Sequence, residues 1–465
     1  MQRAAIAEAH RWAFPALGGL GKGERSMCSW DEDAITMAVE AGRDCLLGMD
    51  RARLQKLTLA STTAPYADLN NAVFVSAALT LSDEAAVAER SGTTRAGLTA
   101  LIDACQSSSA EGHLVVASER RTAKPASTQE MQIGCGAAAM AVGAGDGLIA
   151  RFLGAQTVSV PFVDHFRKSG TAFDYNWEER WIRDEGISKL LPQALQSLLT
   201  SLNRSGADIA HFGLAGGPAR SDQRIAKKLK IKPEALLPDL QGKVGDTGAA
   251  QPLLQLCAAF ERAQPGDVIV IAAFAQGCEV AAFEMLKKPE DTGRQSLAGS
   301  VAARIEESAY LKLLSNDGHL DLEWGMRAET DNKTALTQLY RAADQIFGFV
   351  GGKCGECGAI QFPRLPACVN CGAPDSQTPY ALADEAAQVA THTADWLQYS
   401  PSPPLYMGLV QFDCGARVLM EMVDVGPEGI DVGTPLSMRF RVKERDKLRG
   451  WDRYFWKAAP MGSGT

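Results

Sequence analysis

The stretch KCGECGAIQFPRLPACVNCG, residues 353–372, decides the architecture of the C-terminal third of the chain. It holds two C-x2-C pairs with ten residues between them, at Cys354, Cys357, Cys368 and Cys371. Each pair predicts a knuckle, and four converging thiolates complete the tetrahedral coordination of a structural Zn2+ ion. Disulfide bonds or an accidental spacing are the alternatives, but C-x2-C pairs in a reducing compartment favour metal. A zinc ion bound by four thiolates has no open position for a substrate, so the motif predicts a structural module and not a reaction.

Composition limits the functions that the chain can have. Its 465 residues are enough for two or three domains, and its net charge of −8 gives no support to a nucleic-acid surface. No apolar run reaches the roughly 18–20 residues of a membrane-spanning helix, and the first residues predict an amphipathic helix without the apolar stretch of a signal peptide. The other cysteines are scattered singly, which is typical of reduced thiols. We therefore expect a cytoplasmic protein that binds neither nucleic acid nor membrane.

Helical and extended patterns alternate up to about residue 290, which predicts a mostly parallel sheet covered on both faces. The theme occurs twice, in residues 1–150 and 151–290. Residues 291–349 are charged and predict a helical linker, and the cysteine module occupies 350–376. Short alternating segments in 377–465 predict a small antiparallel barrel of the OB type.

The C-terminal third resembles the acyl-CoA-associated zinc-ribbon/OB-fold family over about residues 340–460. The resemblance rests on FGFVGGKCGECGAIQFPR (347–364), the second cysteine pair and YFWKAAP (454–460). It implies a rubredoxin-like zinc ribbon followed by an all-β OB-fold barrel. Members of this family accompany thiolase-like enzymes as subunits or fusions and are thought to contribute to CoA-thioester binding and assembly.

The N-terminal part resembles the 3-hydroxy-3-methylglutaryl-CoA synthase branch of the thiolase superfamily. The resemblance implies an α/β fold layered α-β-α-β-α from two related halves, a CoA thioester as substrate and a homodimer. That family begins with a β-strand before its first helix, whereas this chain opens inside that helix, so we expect either a fold without this edge strand or a misassigned start codon. The matching stretches are DEDAITMAVEAG (31–42), STTAPYA (61–67), TTRAGLTAL (93–101), IGCGAAAMAVG (133–143), VDHFR (163–167) and GDTGAAQPLLQL (245–256).

The catalytic positions of the synthases are vacated in this chain. The motif that carries the acylated cysteine places Thr94 at the nucleophile position, and a threonine hydroxyl without an adjacent base is a poor nucleophile. The glutamate position holds Thr62, and the histidine position falls near Ala215. An acyl-enzyme of the usual kind is therefore not expected.

The remaining features suit a reaction through an enolate. Backbone N–H groups near Thr94 and Gly277 are candidates for an oxyanion hole, which needs no special side chain. With one acid/base, this device supports retro-aldol cleavage of a 3-hydroxyacyl-CoA. The acid/base candidates in matched motifs are Tyr66, Asp164, His165 and Asp246.

Each candidate also has a structural alternative. Tyr66 suits packing, Asp164 suits a helix cap, and Asp246 suits a hydrogen bond to its own loop. Arg95 and Arg220 are candidates for binding the CoA phosphates, although an exposed arginine usually faces water. Three functions therefore stay open: a C–C bond-forming or bond-breaking enzyme, a divergent acyltransferase, and a non-catalytic acyl-CoA-binding scaffold for a hydratase or thiolase partner.

Overall fold

The computed structural model describes residues 1–107, 112–145, 147–290, 293–329 and 333–461. Its first half contains a sheet in the order β2-β1-β3-β4, in which β1 is parallel to β2 and β3 and antiparallel pairing joins β3 to β4. The strands are Lys56–Ala60 (β1), Ala86–Arg90 (β2), His113–Arg120 (β3) and Cys135–Val142 (β4). The helices are Arg3–His10 (α1), Ala34–Cys45 (α2), Ala72–Ala78 (α3), Ala96–Gln106 (α4) and Thr128–Gln132 (α5).

The second half contains a sheet in the order β5-β10-β9-β8, in which β8 is parallel to β9 and β10 is antiparallel to β9 and β5, and a separate two-stranded hairpin of β6 and β7. The strands are Ala150–Ser159 (β5), His165–Phe166 (β6), Tyr175–Asn176 (β7), Ile209–Ala215 (β8), Val268–Phe274 (β9) and Gly277–Met285 (β10). The helices are Glu179–Trp181 (α6), Ser188–Ser201 (α7), Ser221–Leu229 (α8) and Gln251–Arg262 (α9), with a π-helical segment, Ile182–Ile187, before α7.

The two sheets enclose a central helical layer. Helix α4 packs on β3 and β10, α9 packs on β8 and β4, and the two helices contact each other. A Cβ on Gly97 would lie 2.1 Å from the carbonyl oxygen of Ala249, so only glycine lets α4 approach the turn before α9 this closely. Helix α2 covers the first sheet and α7 the second. The predicted α-β-α-β-α layering is confirmed.

A linker of short helices leads to two small β modules. The helices are Leu297–Ala302 (α10), Tyr310–Asn316 (α11), Leu336–Arg341 (α12) and Ala343–Ile346 (α13). The ribbon strands are Val350–Cys354 (β11), Ile360–Gln361 (β12) and Gln377–Ala381 (β13). The last five strands close into a barrel, as expected: Ala387–Asp395 (β14), Leu405–Phe412 (β15), Arg417–Met422 (β16), Pro435–Asp446 (β17) and Trp451–Pro460 (β18). In the described ranges, no helix combines the length and apolarity needed to cross a membrane.

The barrel and the first half share one hydrophobic core, although the sequence separates them by some 300 residues. Phe74 of α3 contacts the rings of Phe347 and Tyr454 at centroid distances of 5.4 and 5.9 Å. The buried ring of Phe349 stacks on Trp456. The barrel is thus bound to the α/β part by apolar burial, which contributes in proportion to the area removed from water.

Candidate active site and zinc site

The vacated nucleophile position lies against the tight turn between β9 and β10. Thr94 is two residues before α4, and the side chains on either side of it, Thr93 Oγ1 and Arg95 Nε, approach the carbonyl oxygen of Ala275 at 3.5 and 2.9 Å. In the turn, Gly277 has φ = +108°, and a Cβ there would lie 2.2 Å from the carbonyl oxygen of Val158. This turn therefore requires glycine, and its Ala275 carbonyl group lies against the start of α4.

Arg95 has a different environment from the one expected for a CoA phosphate ligand. Its Nη1 lies 2.7 Å from Glu279 Oε1, and its side chain is only 13% exposed. Thr99 Oγ1 donates to the same carboxylate at 2.6 Å. Because the guanidinium is neutralised inside the protein, the structure does not support a phosphate contact for Arg95. Arg220, exposed at the start of α8, keeps that role as a prediction.

His165 and Asp164 form a dyad beside the same turn. His165 Nδ1 lies 3.2 Å from Asp164 Oδ2, and Gln276 Nε2 donates to Asp164 Oδ1 at 2.5 Å and to the His165 carbonyl at 3.1 Å. Burial, the largest single influence, lowers the pKa of His165, but the hydrogen bond and charge of Asp164 outweigh it, so the pKa is raised. The dyad is held by the turn that carries the candidate oxyanion hole.

A chain of ion pairs continues from the hairpin into the first half. Arg121 Nη1 lies 2.9 Å from Asp246 Oδ2, and Arg121 Nη2 lies 3.2 Å from Asp174 Oδ2. Arg167 lies 3.8 Å from Asp174 and donates to the carbonyl oxygen of Thr62. Burial raises the pKa of Asp246, but the Arg121 guanidinium and the N–H of Gly248 together outweigh burial, so the pKa is lowered. Asp246 also accepts from the N–H of Gly248, the loop contact foreseen as its structural alternative.

Glu119, at the end of β3, is a residue that the sequence analysis missed. Its carboxylate accepts from the N–H and Oγ1 of Thr62 at 2.8 and 2.9 Å and from Oγ1 of Thr63 at 2.6 Å. Burial raises its pKa more than these hydrogen bonds lower it. The sequence does contain one indication of this site, because Glu119 is an acidic residue near the end of the apolar strand HLVVASER (113–120).

Tyr66 lies apart from these residues. Its hydroxyl accepts from the N–H of Asp452 at 2.9 Å, and its ring contacts Phe74 and Trp451. Burial raises the pKa of Tyr66 to about 12. These contacts join the first half to the barrel, so they favour the packing role over acid/base catalysis. Ala215, at the vacated histidine position, is buried at the end of β8 and supplies no polar side chain.

The four ribbon cysteines are arranged as a metal site requires. Their Sγ atoms all lie within 4.8 Å of one another, with 3.8 Å between Cys354 and Cys371 and 3.6 Å between Cys357 and Cys368. Four sulfurs at about 2.3 Å from one Zn2+ ion would be about 3.8 Å apart in a tetrahedron. Knuckle hydrogen bonds from Gly358 N to Cys354 O and from Gly372 N to Cys368 O shape both loops. The residues therefore fit a structural zinc ion.

Comparison with known proteins agrees with both parts of the molecule. Residues 341–376 match the model of the ChsH2 rubredoxin-like zinc ribbon domain, and residues 199–285 match the C-terminal domain of 3-oxoacyl-[acyl-carrier-protein] synthase III. The chain combines a thiolase-superfamily domain with a rubredoxin-like zinc ribbon. The zinc-ribbon and thiolase-superfamily resemblances stated from the sequence are thereby confirmed.

The curated relatives include hydroxymethylglutaryl-CoA synthases of two archaea. The Methanopyrus kandleri synthase is 26% identical over 300 residues, which cover 63% of this chain and 85% of that protein. The Aeropyrum pernix synthase is 27% identical over 342 residues, 72% of this chain and 91% of that protein. These relatives are enzymes, so the prediction of a thiolase-superfamily enzyme is confirmed at this general level.

Solved structures show the same fold. MvaS in complex with 3-hydroxy-3-methylglutaryl coenzyme A superposes with a TM-score of 0.57 at 16% identity, covering 68% of this chain and 88% of that one. The 3-oxoacyl-(acyl carrier protein) synthase III of Pseudomonas aeruginosa PAO1 gives 0.55 at 17% identity, covering 62% and 95%. At these identities the likeness concerns the thiolase-superfamily fold.

Proposed function

We propose that this protein makes or breaks a C–C bond next to a CoA thioester, by aldol or retro-aldol chemistry on a 3-hydroxyacyl-CoA. The observation that carries the proposal is the His165–Asp164 dyad, fastened by Gln276 to the turn that faces the nucleophile position. Threonine at position 94 removes the acyl-enzyme, whereas a retro-aldol reaction needs only a base and a site that stabilises an enolate.

In the cleavage direction, His165 Nε2 accepts the proton of the 3-hydroxyl group. The C3–O bond becomes a carbonyl as the C2–C3 bond breaks, and the electron pair passes to the thioester as an enolate. Backbone N–H groups near Thr94 and Gly277 stabilise the enolate oxygen. Asp164 orients the imidazole and stabilises its protonated form, as a carboxylate partner does in other acid/base dyads. Protonation of C2 then releases the shortened acyl-CoA.

The zinc ribbon contributes structure to this scheme, because four thiolates leave no open coordination position. Its thiolates and the protein's other reduced cysteines suit a cytoplasmic location. By analogy with thiolase-fold proteins, we propose a homodimer formed through the thiolase-like domain, with a hydratase or thiolase as a further partner.

Incubation with aryl, branched and steroid-like 3-hydroxyacyl-CoAs tests the proposal. Mass spectrometry is expected to show a shortened acyl-CoA together with an aldehyde or ketone. His165→Asn is expected to lower kcat about 10²- to 10⁴-fold, whereas His392→Asn in barrel strand β14 serves as the matched control. Absence of product over the whole panel, or full activity of His165→Asn, would contradict the proposal.

Acyl transfer is the second candidate, because the archaeal relatives are hydroxymethylglutaryl-CoA synthases. Intact-protein mass spectrometry after exposure to acetyl-CoA separates the two functions. An acetyl adduct on the protein would favour the transferase, and an unmodified protein that cleaves a 3-hydroxyacyl-CoA favours the lyase. Binding of CoA thioesters without either reaction would indicate the scaffold.

A further inference from the structure

A fully buried carboxylate lies beneath a threonine at the edge of the candidate active site. Glu119 has an exposed fraction of 0%, while Thr62, which covers it, is only half-buried. The hydroxyl group of Thr62 donates to Glu119 Oε1 at 2.9 Å, and Thr63 donates to Oε2 at 2.6 Å. Both hydroxyl groups therefore lie between this carboxylate and the surface of the loop. That of Thr63 also accepts from the N–H of Arg120 at 2.9 Å, so the Thr62 hydroxyl is the better candidate for passing on a proton.

The same loop contacts the hairpin that carries the dyad. Arg167, two residues beyond His165, donates to the carbonyl oxygen of Thr62. Glu119 also lies close to the loop that follows Asp246. A Cβ on Gly248 in that loop would lie 3.3 Å from Glu119 Cγ. Three segments thus meet around Glu119 and Thr62: the loop after β1, the loop before α9 and the β6–β7 hairpin.

The surroundings of Glu119 favour its protonated form, although an arginine lies nearby. Arg121 is the cation that faces it and favours the carboxylate. However, Arg121 is already paired with Asp246 and Asp174, whose negative charges offset it. Burial prevails, and the pKa of Glu119 is raised. A carboxyl group with a raised pKa keeps its proton to higher pH than a surface acid does, which suits proton donation to an enolate.

We propose that Glu119 supplies and takes up the C2 proton of the CoA thioester through the hydroxyl group of Thr62. The loop after β1 thus regains an acid/base function although position 62 itself carries no carboxylate. Glu119 acts through another residue and is therefore a positioning residue. The proposal rests on the proposed enolate chemistry and adds a second proton-transfer group to it.

Protonated Glu119 donates to Thr62 Oγ1, and the hydroxyl hydrogen of Thr62 passes to C2 of the enolate. The enolate becomes the neutral acyl-CoA, Thr62 is unchanged, and Glu119 is left as a carboxylate. The proton that His165 took from the 3-hydroxyl group returns to solvent, and Glu119 regains a proton from solvent before the next turnover.

Exchange at C2 tests this relay without C–C cleavage. Butyryl-CoA in deuterium oxide is expected to gain deuterium at C2 with the wild-type protein. Glu119→Gln and Thr62→Val are expected to slow this exchange at least 10-fold, whereas Thr62→Ser, which keeps the hydroxyl group, retains it. Glu130→Gln, which alters another buried carboxylate, in α5, is the matched control, and thermal melting checks that each variant folds.

Moving the carboxylate provides a sharper test. The double variant Glu119→Thr/Thr62→Glu is expected to recover exchange that Glu119→Thr alone loses, and the pH dependence of the rate is expected to shift with it. Exchange that is the same in wild type, Glu119→Gln and Thr62→Val would overturn the relay, as would a wild type that does not exchange. Exchange without cleavage of any 3-hydroxyacyl-CoA would instead remove the proposed lyase activity and leave the relay supported.

Discussion

Lys457 Nζ lies 2.9 Å from Asp31 Oδ2, and each side chain is only 2% exposed. The ammonium group also lies 3.0 Å from Glu421 Oε2 and 4.4 Å from the ring centroid of Trp30. Asp31 precedes α2 and Lys457 is in barrel strand β18, so this ion pair joins the start of the α/β part to the barrel. The neighbouring Glu32 and Asp33 likewise bind Arg441 and the Tyr454 hydroxyl of the barrel.

Lys457→Met is expected to lower the free energy of unfolding by about 3–5 kcal/mol, because it leaves buried carboxylates without their cation. Chemical denaturation followed by circular dichroism measures this loss. Lys447→Met, at an exposed turn beside the same strand, is the control and should change stability by less than about 0.5 kcal/mol. The double variant Asp31→Asn/Lys457→Met should recover part of the loss. Equal stability of Lys457→Met and wild type would show that the pair contributes nothing to barrel docking.

Zinc removal is expected to destabilise the barrel as well as the ribbon. Metal analysis should give one zinc ion per chain in wild type and a substoichiometric amount in Cys371→Ser, with a lower melting temperature. The effect should reach the barrel, because Phe349 beside β11 packs on Trp456. Cys414→Ser, which alters a thiol outside the cluster, should keep its zinc. A full zinc content in Cys371→Ser would refute the four-cysteine site.

The charge of His165 predicts how stability depends on pH. Because its folded-state pKa is raised, its stabilising pair with Asp164 is fully present below the ordinary histidine pKa of about 6.5 and is lost as pH rises through the raised value. The stability difference between wild type and His165→Gln should therefore shrink from pH 5.5 to pH 8.5. In an Asp164→Asn background this slope should disappear. A difference that grows with pH would contradict the assignment.

Gly277→Ala tests the turn of the candidate oxyanion hole. A positive φ costs a non-glycine residue about 1–2 kcal/mol, and the added Cβ would also clash with the carbonyl oxygen of Val158. We expect a loss of about 2 kcal/mol or more in the free energy of unfolding, together with a lower kcat. Gly426→Ala, where a Cβ meets open space, should change neither by a measurable amount. Unchanged activity of Gly277→Ala would exclude this turn from the site.

The sequence predicted features that depend on local spacing. The zinc site was predicted from its cysteine spacing and the barrel from short alternating segments, whereas the layered thiolase-like architecture was predicted from the resemblance to the synthases. Asp164, His165 and Asp246 were also identified within matched motifs. Local patterns do not predict the hydrogen bond between Gln276 and His165, since it joins loops 111 residues apart.

Side-chain direction and long-range partners account for the other differences. Arg95 was considered as a surface cation, but its direction depends on Glu279, a residue of another strand. The hydroxyl partner of Tyr66 is 386 residues further along the chain. Glu119 is in no matched motif, and its role depends on two threonines of a different loop. Such relationships are set by tertiary packing, which one-dimensional patterns do not encode.

Because the first half and the barrel share one core, the order of synthesis determines when that core can be completed. Helices α2 and α3 leave the ribosome early, but the barrel residues that cover them, including Tyr454 and Trp456, are made only after the second half, the linker and the ribbon. Until then the acidic residues 31–33 lack their barrel partners Lys457, Arg441 and Tyr454. The first half thus reaches its final stability only after the last strand has been translated, so a ribosome that stops before β18 releases a chain with an open apolar face.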